Sequence, residues 1–297
     1  MTPWDEIAPL VTDDLRAVAA AAYEFGLRAT PTVVVPTAFA AFLGIDVPRV
    51  AVPLICGATN DVNVRAFHDD DGWVLSGDAG AVSWGNVAAT LLVAAHIEPP
   101  ASPRIPLGLF VIDAEQHGVI RTPRTSIGSR SMSAVHLAGV RVGDDAHHDD
   151  GSRATWSAVV AALDKATVVA AAELAGIARG ALRAAVAYAT GREQFGAPIA
   201  TYQALAHRLA DMAIDTEAAA LAVEEAVDAP TPQNAAHTKI IANEAAHRVT
   251  AGLHQINGGV GFYADQSPAP YYARALALRV EMGDSAVHRL RLAAEMA

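Results

Sequence analysis

The chain has 297 residues, 52% of them apolar and 18% charged, which is enough to bury a large core and too apolar for a disordered segment. Its formal net charge of −11 argues against a nucleic-acid partner, because a phosphate backbone calls for a basic face. The single cysteine, Cys56, excludes an internal disulfide and a thiolate zinc site. The opening MTPWDEIAPLVTDDLR is acidic and lacks the basic start of a signal peptide. The early apolar run PTVVVPTAFAAFLGI (31–45) is short and broken by Pro36, so no membrane span and a cytoplasmic location are expected.

Residues 1–50 contain a helical pattern around DDLRAVAAAAYEFG, ended by Gly26, and then the short apolar segment PTAFAAFLGI. Residues 51–150 change texture. The runs VNVRAFH, GWVLSG, TLLVAAHI, LGLFVID, GVIRTP and SAVHLAGVRV are β-branched or alternating, and turn residues such as DDDG and EPPASP separate them. They predict an antiparallel β-barrel or sandwich. Residues 151–297 read as helices. The first (155–191) is apolar almost all round, as a helix at the centre of a bundle would be. Others cover 201–228 and 232–257, and two more meet near Gly283. The expected C-terminal unit is an up-and-down four-helix bundle. The fold class is therefore α+β: helical segment, β domain, helical bundle.

Two stretches of the bundle could carry chemistry. GREQFGAPIATYQ places Arg192, Gln194 and Phe195 in a turn and Gln203 at the next helix start. Arginine suits phosphate because its planar donors bind oxygens in pairs, although a solvated helix–helix turn has the same appearance. HQINGGVGFY offers Gln255 beside Gly258, Gly259 and Gly261, whose backbone can approach a ligand closely and cradle phosphate. A helix stop explains one of those glycines, and three invite a second reason.

Taken together, YATGREQFGAPIATYQALAHRLADM and the later QINGGVGFY resemble the acyl-CoA dehydrogenase family. So do the acidic run after AVHLAGVRV, just before the long helix, and the helix–β–helix order. The resemblance covers roughly residues 20–295. It implies an N-terminal helical domain, a middle β-barrel, a C-terminal four-helix bundle, and FAD at a subunit interface. It further implies that Arg192, Gln194, Phe195, Gln203, Gln255, Gly258 and Gly259 hold the adenosine and pyrophosphate end of an FAD bound mainly by the neighbouring subunit.

The departures from the family pattern matter equally. The helical segment before Ala51 is shorter than the family's, whose further helices help to wall the acyl pocket. The family's Thr-Glu-Pro-Gly-x-Gly-Ser-Asp run aligns with LICGATND (54–61). Gly57 and Asp61 survive, while Leu54 and Asn60 replace the threonine and serine. The Trp-Ile-Thr-Asn run near the flavin ring becomes AVSW (81–84), where Ser83 keeps a hydroxyl and Ala81 stands at the tryptophan position. The chemistry needs a carboxylate within reach of the proton beside the thioester. Met282 stands where many members carry that glutamate. Where others carry it on the first bundle helix, counting back from Gly176 leads to Ala166. Glu281 is a candidate base, but one residue along a helix is about 100° away. Asp164 and Glu173 flank Ala166 without aligning.

The resemblance therefore implies the degenerate subunit of a heteromer, as in bacterial α2β2 members that act on steroid side chains as CoA thioesters. It would contribute FAD contacts, a homologous partner would supply the catalytic glutamate, and an electron-transfer flavoprotein or similar acceptor would follow. The alternatives are a scaffold or regulatory homomer that has lost FAD, and an autonomous dehydrogenase using Glu281 or Asp164. DDAHHDDG (144–151) reads as a solvated acidic loop and not a metal site, since it lacks ligand spacing from a rigid element. TSIGSRSMSAVHL offers Arg130 and Ser133 as further contacts near the flavin, or as a plain turn.

Overall fold

The computed structural model describes residues 4–45, 50–54, 63–98, 107–129, 131–148, 153–262 and 268–295. Most of the LICGATND run, Arg130 and residues 149–151 of the acidic loop lie outside them.

A short α1 (Trp4–Ile7) leads to α2 (Leu15–Leu27). The Asp14 carboxylate caps α2, accepting from the Arg16 and Ala17 amides at 2.9 and 3.4 Å. α2 ends at Leu27, one residue past the end that its sequence suggested, and Gly26 also lies at a helix crossing. A methyl group on Gly26 would overlap the Glu173 carbonyl, and one on Gly176 would overlap the Tyr23 carbonyl. α3 (Val34–Phe42) begins two residues before Pro36. Proline is tolerated in a first helical turn, where its missing N–H has no partner to lose, so Pro36 does not break the segment.

Seven strands follow: β1 (Ala51–Leu54), β2 (Val64–Asp69), β3 (Gly72–Val82), β4 (Thr90–Glu98), β5 (Leu107–Asp113), β6 (Val119–Arg124) and β7 (Met132–Val142). β5 lines one edge of β4. β1 and then β2 run parallel along its other edge, and β3, β7 and β6 continue the sheet antiparallel. The expected antiparallel barrel is thus a mixed sheet, and among the described residues no pairing closes it. Alternation in a sequence reports which face a residue occupies and is the same for either strand direction. β4 is buried along nearly its whole length, as a strand covered on both faces should be.

α4 (Arg153–Gly191) is the central helix, followed by a hairpin of β8 (Glu193–Gln194) and β9 (Ala197–Pro198). Then come α5 (Gln203–Asp228), α6 (Pro232–Asn257), α7 (Pro268–Arg279) and α8 (Ser285–Glu295). The middle of α4 is buried on every side, as its all-round apolar sequence requires. Where α4 meets α7, Arg274 and Glu173 form a fully buried ion pair, with the Arg274 Nε donating to Glu173 Oε1 at 2.7 Å. The guanidinium also lies over the buried Trp84 ring, 5.8 Å from its centroid, which ties bundle to sheet.

Candidate functional site

The last turn of α4 runs on to the Arg192 amide, which donates to the Tyr188 carbonyl at 2.9 Å. The chain then folds into the β8–β9 hairpin. Its two turn residues, Phe195 and Gly196, have φ of 53° and 82°. A two-residue turn with both φ positive matches the twist of a hairpin but normally takes Asn or Gly at its first position. Phe195 adopts it at a steric cost of about 1–2 kcal/mol. Its ring is 96% exposed and makes one edge contact, to Tyr202 at 6.5 Å. The Tyr202 hydroxyl donates to the Gln194 carbonyl at 2.8 Å, and the Gln194 amide nitrogen donates to the Glu193 carbonyl. Phe195 is thus a strained, exposed aromatic residue on a braced hairpin.

Gln203 opens α5, also exposed, and no side chain caps that helix start. At the end of α6, Gly258 adopts φ 61° and its amide bonds to the His254 and Gln255 carbonyls. Gly258 is therefore a helix cap, as half of its sequence reading held. Gly259 differs. It has no positive φ, and a methyl group on it would meet nothing within 4 Å. Among the described residues nothing requires glycine there. Gln255, Gly258 and Gly259 are all exposed.

Packing brings these stretches to one end of the bundle. Ala185 and Ala189 from α4, Ile199 after β9, Leu205 and Leu209 from α5, and Leu253 and Ile256 from α6 share a single apolar cluster. Arg192, Gln194, Phe195 and Gln203 lie in the chain between its members Ala189 and Leu205, and Gln255, Gly258 and Gly259 adjoin its members Leu253 and Ile256. Ser83 is not among them. It lies half-buried in the turn after β3, between Val82 and Trp84 of the sheet core. Ser133 is fully buried behind that turn, its hydroxyl against Gly85.

The other candidate residues meet where α7 passes to α8. Met282 (φ 56°) and Gly283 (φ 91°) form the link. Met282 packs on the same apolar cluster as Ala166, with Phe39, Leu92, Leu109 and Val159. The two places from which a base would be expected therefore face one apolar space, and neither residue there takes up a proton. The neighbouring acids are engaged elsewhere. Asp164 accepts from Arg291 at 2.6 Å, and Glu173 is held by Arg274.

Glu281 is buried beside Lys239. The Lys239 ammonium, fully buried, donates to Asn243 Oδ1 and to the carbonyls of Leu278, Arg279 and Gly283 at 2.9–3.4 Å. It thus satisfies carbonyls that the end of α7 leaves open. Burial pushes its pKa down to about 7, against the opposing pull of the Glu281 and Asp284 carboxylates. His288 donates to the Met282 carbonyl at 2.9 Å, and burial, aided by the Lys239 charge, lowers its pKa to about 4. Sequence reasoning missed this Lys239–His288 clamp. The signal available was faint: Lys239 and Asn243 stand four residues apart, one helical turn, in TKIIANEAA.

Among the described residues no group of three His, Cys, Asp or Glu is placed to share a metal ion. His147 stacks on Phe110 at 4.8 Å and makes a tilted contact with Trp73 at 4.9 Å, holding the acidic link against the sheet. No helix among the described residues is long and apolar enough to cross a membrane.

Residues 156–297 match the family model described as acyl-CoA dehydrogenase, C-terminal domain. The 3-sulfinopropanoyl-CoA desulfinase of Paraburkholderia xenovorans is 34% identical over 74% of this chain, which spans about three fifths (59%) of that relative's length. Among solved structures, the ChsE4–ChsE5 complex from Mycobacterium tuberculosis superposes with a TM-score of 0.84 at 22% identity, covering 99% of this chain and 87% of that one. The Tcur3481–Tcur3483 steroid ACAD G363A variant gives 0.77 at 27% identity, covering 94% and 80%.

Proposed function

This chain belongs to the acyl-CoA dehydrogenase family, and on that premise we propose that it is one subunit of a heteromeric, flavin-dependent acyl-CoA dehydrogenase. In this reading it reaches the adenosine and pyrophosphate end of an FAD held mainly by a homologous partner chain, in an α2β2 assembly, and the partner supplies the catalytic glutamate. The observation that carries it is the bundle end, where a strained Phe195 ring stands in solvent and where, among the described residues, nothing requires glycine at Gly259.

The residues present fit such a ligand. Arg192 would pair its guanidinium with pyrophosphate oxygens, and Phe195 would pack against the adenosine. Gln194, Gln203 and Gln255 would donate and accept around them. The backbone at Gly258 and Gly259 leaves room for close approach. Ser83 would offer its hydroxyl near the flavin-ring position of its own subunit. FAD, when bound, supplies the hydride acceptor for dehydrogenation of an acyl-CoA thioester, with an electron-transfer flavoprotein or similar acceptor downstream.

A partner-supplied base accounts for what this chain holds at its own site. Met282 and Ala166 stand at the base positions, Asp164 and Glu173 are paired to arginines, and Glu281 lies buried beside Lys239. These placements favour the heteromer over an autonomous enzyme. A steroid side chain as the acyl group has the support of the likeness to the Tcur3481–Tcur3483 steroid ACAD. The test is to express the chain alone and with a homologous subunit encoded beside it, and to record absorbance in the flavin band. Flavin only on co-expression is expected. Flavin in neither case favours a scaffold, and a yellow, active chain on its own favours an autonomous dehydrogenase.

A further inference from the structure

The link between α7 and α8 is a strained segment gripped by two buried bases. Met282 holds a positive φ of 56°, which residues with a side chain rarely adopt, and Gly283 follows at 91°. On its far side the link is fixed to α8, where the Asp284 carboxylate accepts from the Ala286 and Val287 amides at 2.9 Å each. Between α7 and Asp284 it is held by its carbonyls. Lys239 takes those of Leu278, Arg279 and Gly283, and His288 takes that of Met282.

The His288 ring is 1% exposed and lies so close over Gly283 that a methyl group there would come within 2.8 Å of Nε2. Nε2 carries the proton that goes to the Met282 carbonyl, so Nδ1 is the bare nitrogen of the neutral ring. Nδ1 is buried and has no hydrogen-bond partner among the described residues. A second proton would therefore meet neither water nor an acceptor while the link is seated. Its charge would also face Lys239 of α6 and Arg291 of α8, against the weaker pull of Asp284. Asp164 of α4 is engaged by Arg291, while Glu281 and Arg279 act in opposite senses on Lys239. A ring released into water would take the proton freely.

We propose that the α7–α8 link is an acid-released latch: proton uptake drives the His288 ring out from the link, and Met282 leaves the apolar cluster it shares with Ala166, Phe39, Leu92, Leu109 and Val159. Burial sets the direction. It lowers the pKa of the seated ring to about 4, aided by the Lys239 charge, against 6.5 for a ring in water. The latch is fully held above pH 6.5 and weakens as pH falls to about 4. Lys239, buried with a pKa of about 7, pulls in the same sense. The latch belongs to this chain alone and stands or falls apart from the heteromer reading.

Hydrogen exchange of the full chain, read by mass spectrometry, tests it. Protection factors for residues 279–288, with the intrinsic pH dependence of exchange divided out, are compared at pH 7 and pH 5 in low concentrations of urea. The link is expected to lose about twentyfold in protection. Its exchange should depend little on urea, because it opens locally, whereas residues 168–182 of α4 should show the steep urea dependence of global unfolding. His288→Gln keeps an amide donor and takes no proton, so its link should change by no more than about twofold, the share left to Lys239. NMR of the wild-type imidazole should place proton uptake at His288 below 6.5. The two wild-type readings hold even if the Gln side chain seats poorly. A link level across pH, a link with the urea dependence of α4, a His288→Gln link that loses protection as wild type does, or a ring protonated at 6.5 or above overturns the proposal.

Discussion

Replacing Glu173 by glutamine tests whether the junction of bundle and sheet rests on the buried ion pair. Both partners are essentially excluded from solvent, Glu173 at 0% and Arg274 at 1% exposure. Arg274 donates from Nε at 2.7 Å and from Nη2 at 2.5 Å to one carboxylate oxygen, and Nη2 also lies 3.5 Å from the Thr32 carbonyl. The Glu173→Gln side chain would keep an acceptor but remove the countercharge. An uncompensated buried cation costs about 3–5 kcal/mol. With a shift of about 2 °C per kcal/mol in a chain of this size, the melting temperature should fall by about 6–10 °C. Removing both charges, as Glu173→Leu with Arg274→Met, should restore stability to within about 1 kcal/mol of wild type, because well-packed apolar groups often match a buried ion pair. Thermal unfolding followed by circular dichroism measures both. A Glu173→Gln chain that melts within about 2 °C of wild type would overturn this expectation, since water or a further group would then already compensate Arg274.

Two further outcomes follow from the α7–α8 link. His288 stays neutral in the folded chain down to about pH 4, whereas the unfolded chain protonates it near 6.5. Its contribution is present above pH 6.5 and is lost as pH falls to 4, by about 3 kcal/mol in all; unfolding midpoints across that window should flatten in His288→Gln relative to wild type. Glu281→Gln should leave kcat of the assembled enzyme within about threefold, because a displaced general base would be worth about a hundredfold or more; a loss of that larger size in steady-state assays would make Glu281 the base.

The helical half was legible because its ends carry local chemistry. Thr231 caps α6 by accepting from the Asn234 amide at 3.1 Å with Pro232 behind it, and Gly258 ends the same helix with positive φ. The link near Gly283 was readable for the same reason. Strand direction was not readable in the β region, because alternation is blind to it. The helix end near Gly26 was readable, but not that α4 crosses there, because the partner lies about 150 residues on. The buried charges were hidden by distance: Glu173 and Arg274 are 101 residues apart, and Lys239 reaches carbonyls 39–44 residues on. The role proposed for Arg192, Phe195 and Gly259 rests on the resemblance, since their exposed surfaces meet no partner among the described residues that would reveal it.

The proposed role of this chain toward a partner's flavin is tested most directly by the flavin-to-protein ratio of the co-purified complex carrying Arg192→Ala in this chain and a wild-type partner. An assembled complex, unchanged in mass, that has lost most of its FAD is expected. A complex that retains its full flavin content would be incompatible with that role.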